Sequence, residues 1–174
     1  MSVNIELFKG FLAKLAGYPR VVIQAHDFPD HDAVASAFAL AYLFERYNIP
    51  SVLTYNGVID RVSLQNMIDC LQIDITHWQE LDLTERDIVI TVDGCIGEKN
   101  VTDLPGREIA VFDHHLVSAP EDLWFSDIRP EYGATATIIY EYYMALGIRI
   151  PERECTALQV GLAIDTANLT RGFI

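Results

Sequence analysis

Apolar and polar positions follow two periods along this chain. Residues 4–16 repeat every three to four positions, with Ile5, Phe8, Leu12 and Leu15 on one face. They predict an amphipathic helix, closed by Pro19. "RVVIQAH" (20–26) is a continuous β-branched run, the pattern of a buried strand. A helix is predicted over 33–47, capped by Asp32 and ending near Asn48 and Pro50. "SVLTYN" predicts a second strand, 60–71 a helix and 73–77 a short strand. "DIVITVD" (87–93) and "EIAVFDHH" (108–115) are two further strands, separated by a stretch, 94–107, with little helical period. "ATATIIYEYYMAL" and "ERECTALQVGLAIDTA" predict two final helices, with Gly147 and Pro151 between them. The aromatic residues of the first suit core packing, with a homodimer face as the alternative use.

Strands that alternate with helices predict an α/β fold: a mostly parallel sheet with helices on both faces. The length of 174 residues suits one domain. A chain of that size buries roughly 70% of its unfolded surface.

Charge narrows the partners. With 25 acidic residues against 12 Lys and Arg, the net charge is −13. Such a surface repels phosphates and disfavours long duplex nucleic acid. The longest apolar stretch, "AVASAFALAYLF" (33–44), is shorter than the ~20 residues a membrane helix needs. The amino-terminal residues lack the apolar core of a signal peptide. Three cysteines, at 70, 95 and 155, form no CxxC pair. Neither a disulfide framework nor a zinc ribbon is expected, and a reducing cytoplasm fits. Cys95 reads as a small packed side chain.

The polar residues fall in a pattern. The first strand ends at His26, with Asp30 and Asp32 just beyond; the next long run ends at Asp93; the last ends at Asp113, His114 and His115. Ligands of open parallel sheets bind outside the carboxyl ends of the strands, so parallel strands would bring these groups together. Singly, each Asp suits a turn or helix cap. Together they repel one another unless cations offset them, and almost no Lys or Arg lies nearby in sequence. A divalent metal satisfies that requirement. Carboxylates with imidazoles suit Mn²⁺ best, with Mg²⁺, Co²⁺ or Zn²⁺ as alternatives.

"AHDFPDHDAVASAFAL", the isolated Asp in "ITVDG", "FDHH" and "GLAIDTANLTRG" resemble, in order, the four motifs of the DHH phosphoesterases. The resemblance runs from about residue 20 to the end. It implies a Rossmann-like domain and a binuclear centre: His26 and Asp30 on one metal, Asp32, His114 and Asp165 on the other, Asp93 bridging. It further implies that Asp113 orients His114 and that His115 meets substrate as phosphate contact or proton donor. Asp165 is assigned by the resemblance alone. His31 falls at a position the family leaves variable, and Ser36 reads as a small packed helix residue. Family members usually continue into a smaller substrate-binding domain. The segment 1–174 is therefore expected to be the catalytic domain alone, a fragment of weak or no activity by itself. The function implied is metal-dependent hydrolysis of short nucleotidic substrates; the alternatives are an inorganic pyrophosphatase or exopolyphosphatase, and a non-catalytic metal- or nucleotide-binding module. Lys99, Arg129 and Arg171 are the candidate cations for an anionic substrate.

Overall fold

The computed structural model describes residues 3–170. Helix α1 (Ile5–Leu15) is followed by β1 (Val21–Ala25), α2 (His31–Glu45), β2 (Ser51–Tyr55), α3 (Val62–Leu71) and β3 (Ile75–His77). A short 3₁₀ turn at Trp78–Glu80 leads to β4 (Ile88–Val92), β5 (Arg107–Asp113), β6 (Phe125–Ile128), α4 (Thr135–Leu146) and α5 (Glu152–Asp165). The six strands form one sheet in the order β3-β2-β1-β4-β5-β6. Every pairing is parallel. The expected α/β fold with a parallel sheet is present.

Crossover handedness explains how the two faces are covered. The chain steps outward from β1 to β3 through α2 and α3, then returns to β4 on the other side of β1 and steps outward again to β6. Right-handed crossovers in opposite directions fall on opposite faces. On the first face, β1 contributes Val21 and Ile23, and β4 contributes Ile88, Ile90 and Val92. They share one apolar core with Phe8, Leu12, Leu40, Leu43, Leu64 and Ile139 of the helices. Helix α2 packs on both α4 and α5. The second face is covered by the irregular β4–β5 crossover: Val101 and Leu104 are buried, and the Gln24 amide donates to the Thr102 carbonyl at 2.7 Å. β1 and β4 are consequently buried along their whole length.

Strand β6 was not anticipated from the sequence. "FSDI" is four residues long, carries a charge and lies at the sheet edge, so neither an apolar run nor clean alternation marks it. In α4, Tyr142 and Tyr143 are core residues while Tyr140 and Met144 are exposed. No helix among the described residues is long and apolar enough to cross a membrane.

Candidate metal centre

The reversal of strand order lies between β1 and β4, where a parallel sheet opens a crevice at its carboxyl edge. Residues following β1, β4 and β5 line it, because these three strands are neighbours. His26 follows β1 directly. Asp30 is the N-cap of α2, its Oδ1 accepting from the main-chain N–H of Asp32 (3.0 Å) and Ala33 (3.1 Å). The sequence expectation placed this cap at Asp32. Instead Asp32 lies in the first turn of α2 and serves a different helix. Its Oδ2 accepts from the N–H of Thr135 at 2.6 Å and its Oδ1 from that of Ala136 at 2.9 Å, the open amino terminus of α4. A local cap sufficed to start α2, which freed Asp32 to tie α2 to α4.

Asp93 continues past β4 by one residue, its N–H still donating to the Phe112 carbonyl at 2.9 Å. It then turns into the left-handed region at φ +58°, which Asp and Asn tolerate better than most residues. Its carboxylate is 2% exposed and accepts from Thr135 Oγ1 at 2.8 Å. His26 Nε2 lies 3.7 Å from Asp93 Oδ2 and 3.8 Å from Asp30 Oδ1. His114 Nε2 lies 3.4 Å from Asp93 Oδ1 and 3.2 Å from Asp165 Oδ2. Asp165 arrives from the last turn of α5. That helix approaches α2 closely at Gly161, where a Cβ would stand 3.1 Å from Asp32 Cα and 3.2 Å from Ala35 Cβ.

Three sets of side chains offer ligand atoms all within 4.8 Å of one another: His26, Asp30 and Asp93; Asp32, His114 and Asp165; and Asp93, His114 and His115. The six ligand positions named from the sequence are thus brought to one place, with Asp93 common to two sets. Donor chemistry fits divalent ions. Asp30, Asp32 and Asp93 meet main-chain amides, two hydroxyls and imidazoles, and no ammonium or guanidinium among the described residues. His114 Nε2 is buried without a hydrogen-bond partner although two carboxylates stand close to it. A buried imidazole nitrogen that faces two carboxylates suits a shared cation.

The electrostatics of these side chains agree. Burial pushes Asp93 up to about 6, Asp30 adding to it against His26 and His114. Burial likewise drives Asp32 well above the carboxylate range, reinforced by Asp93. Burial pulls His26 and His114 down, but the surrounding carboxylates outweigh it and hold each at about 9. The cluster therefore collects protons where it has no cations.

Two orienting contacts differ from expectation. Asp113 holds His115, not His114: its Oδ1 accepts from the His115 main-chain N–H at 3.0 Å and faces His115 Nδ1 at 2.7 Å. His114 Nδ1 faces the Tyr132 carbonyl at 3.1 Å instead. Sequence reasoning missed Thr135, Ala136 and Tyr132, and for good reason: all three act through main-chain groups, which any residue supplies. Arg129 is already engaged, bound to Asp127, Glu141 and the Tyr132 hydroxyl. Lys99 is exposed, and Arg171 lies outside the described residues. His31 and Cys95 are buried, and neither belongs to a ligand set. Ser36 Oγ donates to Asp32 Oδ1 at 3.3 Å, in its expected place as a packed helix residue. An open depression of about 750 Å³ lies away from this centre, against Tyr42, Ser51, Gln72 and Arg153, and none of the ligand-capable residues lines it.

The family model of the DHH family, N-terminal domain, matches residues 20–162. The chain belongs to the DHH family. Among curated proteins, this DHH chain is 34% identical over 151 residues to an uncharacterized protein of Methanocaldococcus jannaschii, covering 87% of this chain and 31% of that protein. It is 28% identical over 153 residues to a probable manganese-dependent inorganic pyrophosphatase of Bacillus mycoides, covering 86% and 48%. The chain thus spans less than half the length of these relatives. Among solved structures, an exopolyphosphatase-related protein from Bacteroides fragilis superposes with a TM-score of 0.73 at 18% identity, over 95% of this chain and 51% of that one. RecJ from Thermus thermophilus, solved with Mn²⁺, gives 0.51 at 15% identity, over 93% and 24%. These two likenesses show that the DHH domain shares their fold.

Proposed function

We propose that the chain is the metal-holding domain of a phosphoesterase that hydrolyses its substrate with water activated at two divalent ions. The observation that carries this reading is the shared carboxylate: Asp93 belongs to one ligand set with His26 and Asp30 and to another with His114 and His115. His26, Asp30 and Asp93 would hold one ion; Asp32, His114, Asp165 and Asp93 the other. The family and the manganese-dependent relative support Mn²⁺. Such a pair of ions, when bound, supplies Lewis acidity toward a phosphoryl oxygen and lowers the pKa of water.

The chain's own residues do the rest. Asp30 and Asp32 are fixed by helix amino termini, so the ligand positions are set before any ion arrives. His115 is half exposed. With Nδ1 held by Asp113, its Nε2 is the nitrogen left to meet substrate. The Asp113 hydrogen bond raises its pKa against the opposing pull of burial, which keeps a proton available for the leaving oxygen. Cations held by the neighbouring ligands would act on His115 in the opposite direction and bring that proton nearer to release.

Cations to hold an anionic substrate are scarce in this segment. The net charge of −13 opposes an anion, and Arg129 is committed elsewhere. A further domain of the whole protein would supply the missing cations. The second reading, a pyrophosphatase, is favoured by the name of the Bacillus relative. Turnover of 3′-phosphoadenosine 5′-phosphate, short oligoribonucleotides and pyrophosphate by the full-length protein tests both readings, with Mn²⁺ and with chelator. Hydrolysis that needs Mn²⁺ and disappears in Asp93→Asn is expected. Turnover that survives in Asp93→Asn refutes the shared-ligand mechanism, and a protein inert toward every substrate refutes the enzyme reading.

A further inference from the structure

Phe28 lies in the loop between β1 and α2, two residues from His26 and two from Asp30. It is a large aromatic residue, yet 63% exposed. Its backbone sits at φ +53°, an unfavourable conformation for a bulky residue and one that persists only where surroundings enforce it.

The surroundings do enforce it. The Asp27 N–H donates to the Asn100 carbonyl at 2.7 Å, and the Phe28 N–H to the Asn56 carbonyl at 2.8 Å. The Asp27 carboxylate accepts from Thr102 N–H at 3.1 Å and Thr102 Oγ1 at 2.7 Å. The Asn56 side chain donates to Thr102 Oγ1 and accepts from Trp78 Nε1. Loops following β1, β2 and β4 are thus tied around one exposed ring. The ring itself rests on Gly57, where a Cβ would come within 2.7–2.9 Å of three ring atoms. Gly57 has φ +86°, so a side chain there strains the backbone and pushes the ring aside. The rest of the ring faces solvent, on the short loop that joins the ligand candidates His26 and Asp30. Hydrophobic burial cannot be the reason for a ring held outward in this way.

We propose that Phe28 is a stacking platform for a nucleobase of the substrate whose phosphate sits at the metal centre. This rests on the phosphoesterase reading above and selects its substrate class: mono- or dinucleotides and short single strands, with little preference among bases. A base offers its π-face whatever its edge, and stacking needs no positive surface, which suits an acidic chain. Inorganic pyrophosphate has no group that uses this ring.

The test is equilibrium binding of AMP and of ribose 5-phosphate to the full-length protein with Mn²⁺, alongside kcat/KM for 3′-phosphoadenosine 5′-phosphate and pyrophosphate. Phe28→Ala and Phe28→Leu are expected to weaken AMP about 5- to 150-fold, the span of base–aromatic stacking. Ribose 5-phosphate binding and Mn²⁺ stoichiometry stay as in the wild type, and Phe28→Trp restores AMP. The nucleotidic substrate loses through KM and pyrophosphate is unaffected. Gly57→Ala, which displaces the ring, weakens AMP in the same way. Equal wild-type affinity for AMP and ribose 5-phosphate overturns the proposal. So does an equal loss for both in Phe28→Ala, the result expected if the ring supports the loop or packs on another domain. Base-dependent binding without any hydrolysis would sink the enzyme reading and leave the platform standing; pyrophosphate turnover without base preference would do the reverse.

Discussion

His114 turns its Nδ1 to the main-chain carbonyl of Tyr132, 3.1 Å away, and its Nε2 therefore faces Asp93 and Asp165. The carbonyl is held in turn by an ionic cluster. Tyr132 N–H donates to the Arg129 carbonyl, Arg129 N–H to the Asp113 carbonyl, and the Arg129 side chain to Asp127 and Glu141. Outer contacts of this kind fix ring orientation and commonly govern metal affinity.

Arg129→Met is expected to loosen that segment. It leaves Asp127 without its cation, at a cost of roughly 3 kcal/mol by analogy with other broken buried pairs. Mn²⁺ affinity should fall about 10- to 100-fold, the usual effect of losing an outer contact. Thermal melting and a metal titration read the two effects separately. Unchanged affinity would show that Tyr132 is held without Arg129.

Asp93→Asn should abolish tight Mn²⁺ binding, since two ligand sets share this carboxylate. The metal-free variant should nevertheless be at least as stable as the wild type. The amide removes a buried carboxylate whose pKa burial has pushed to about 6, and Asn suits φ +58°. Asp93→Ala keeps the first effect and loses the second. Denaturant midpoints in chelator compare them; a strongly destabilised Asp93→Asn would contradict the account of its burial.

Affinity for Mn²⁺ should rise with pH between about 6 and 9. His26 and His114 hold protons up to about 9 in the metal-free site, and those protons compete with the ions. The same raised values stabilise the metal-free fold fully below the unfolded imidazole value of about 6.5, a contribution lost as pH climbs through 9. The metal-free protein should then melt at lower temperature across the window in which the metal binds better. Titration calorimetry in buffers of different ionisation enthalpy counts the released protons. A pH-independent affinity would refute the assignment of both rings as ligands.

Gly161→Ala should separate α5 from α2. The added Cβ meets the Asp32 main chain at 3.1 Å, which cannot move without shifting a residue that caps α4. The expected outcome is weaker Mn²⁺ binding, by about tenfold or more, with secondary structure retained by circular dichroism. Wild-type affinity would show that the helices part without disturbing Asp32 or Asp165.

Much of the site was legible because strand ends announce themselves. His26, Asp93 and His114 follow apolar runs that are buried in any parallel sheet, and local patterning encodes that burial. Asp32 misled as a cap because the local sequence cannot say which helix a carboxylate serves. Asp113 was paired with the wrong histidine because two successive rings look equivalent in a string of letters.

Local patterning determined the strands of the sheet's centre, the helices and the kind of chemistry at the strand ends, since burial and capping act over a few residues. Only the tertiary structure decided which strands are neighbours, that α4 and α5 return to the face of α2, and that main-chain groups of Tyr132, Thr135 and Ala136 hold the site. Those contacts span from 18 to 104 positions, and a backbone N–H or carbonyl has no side-chain signature to reveal its partner in advance.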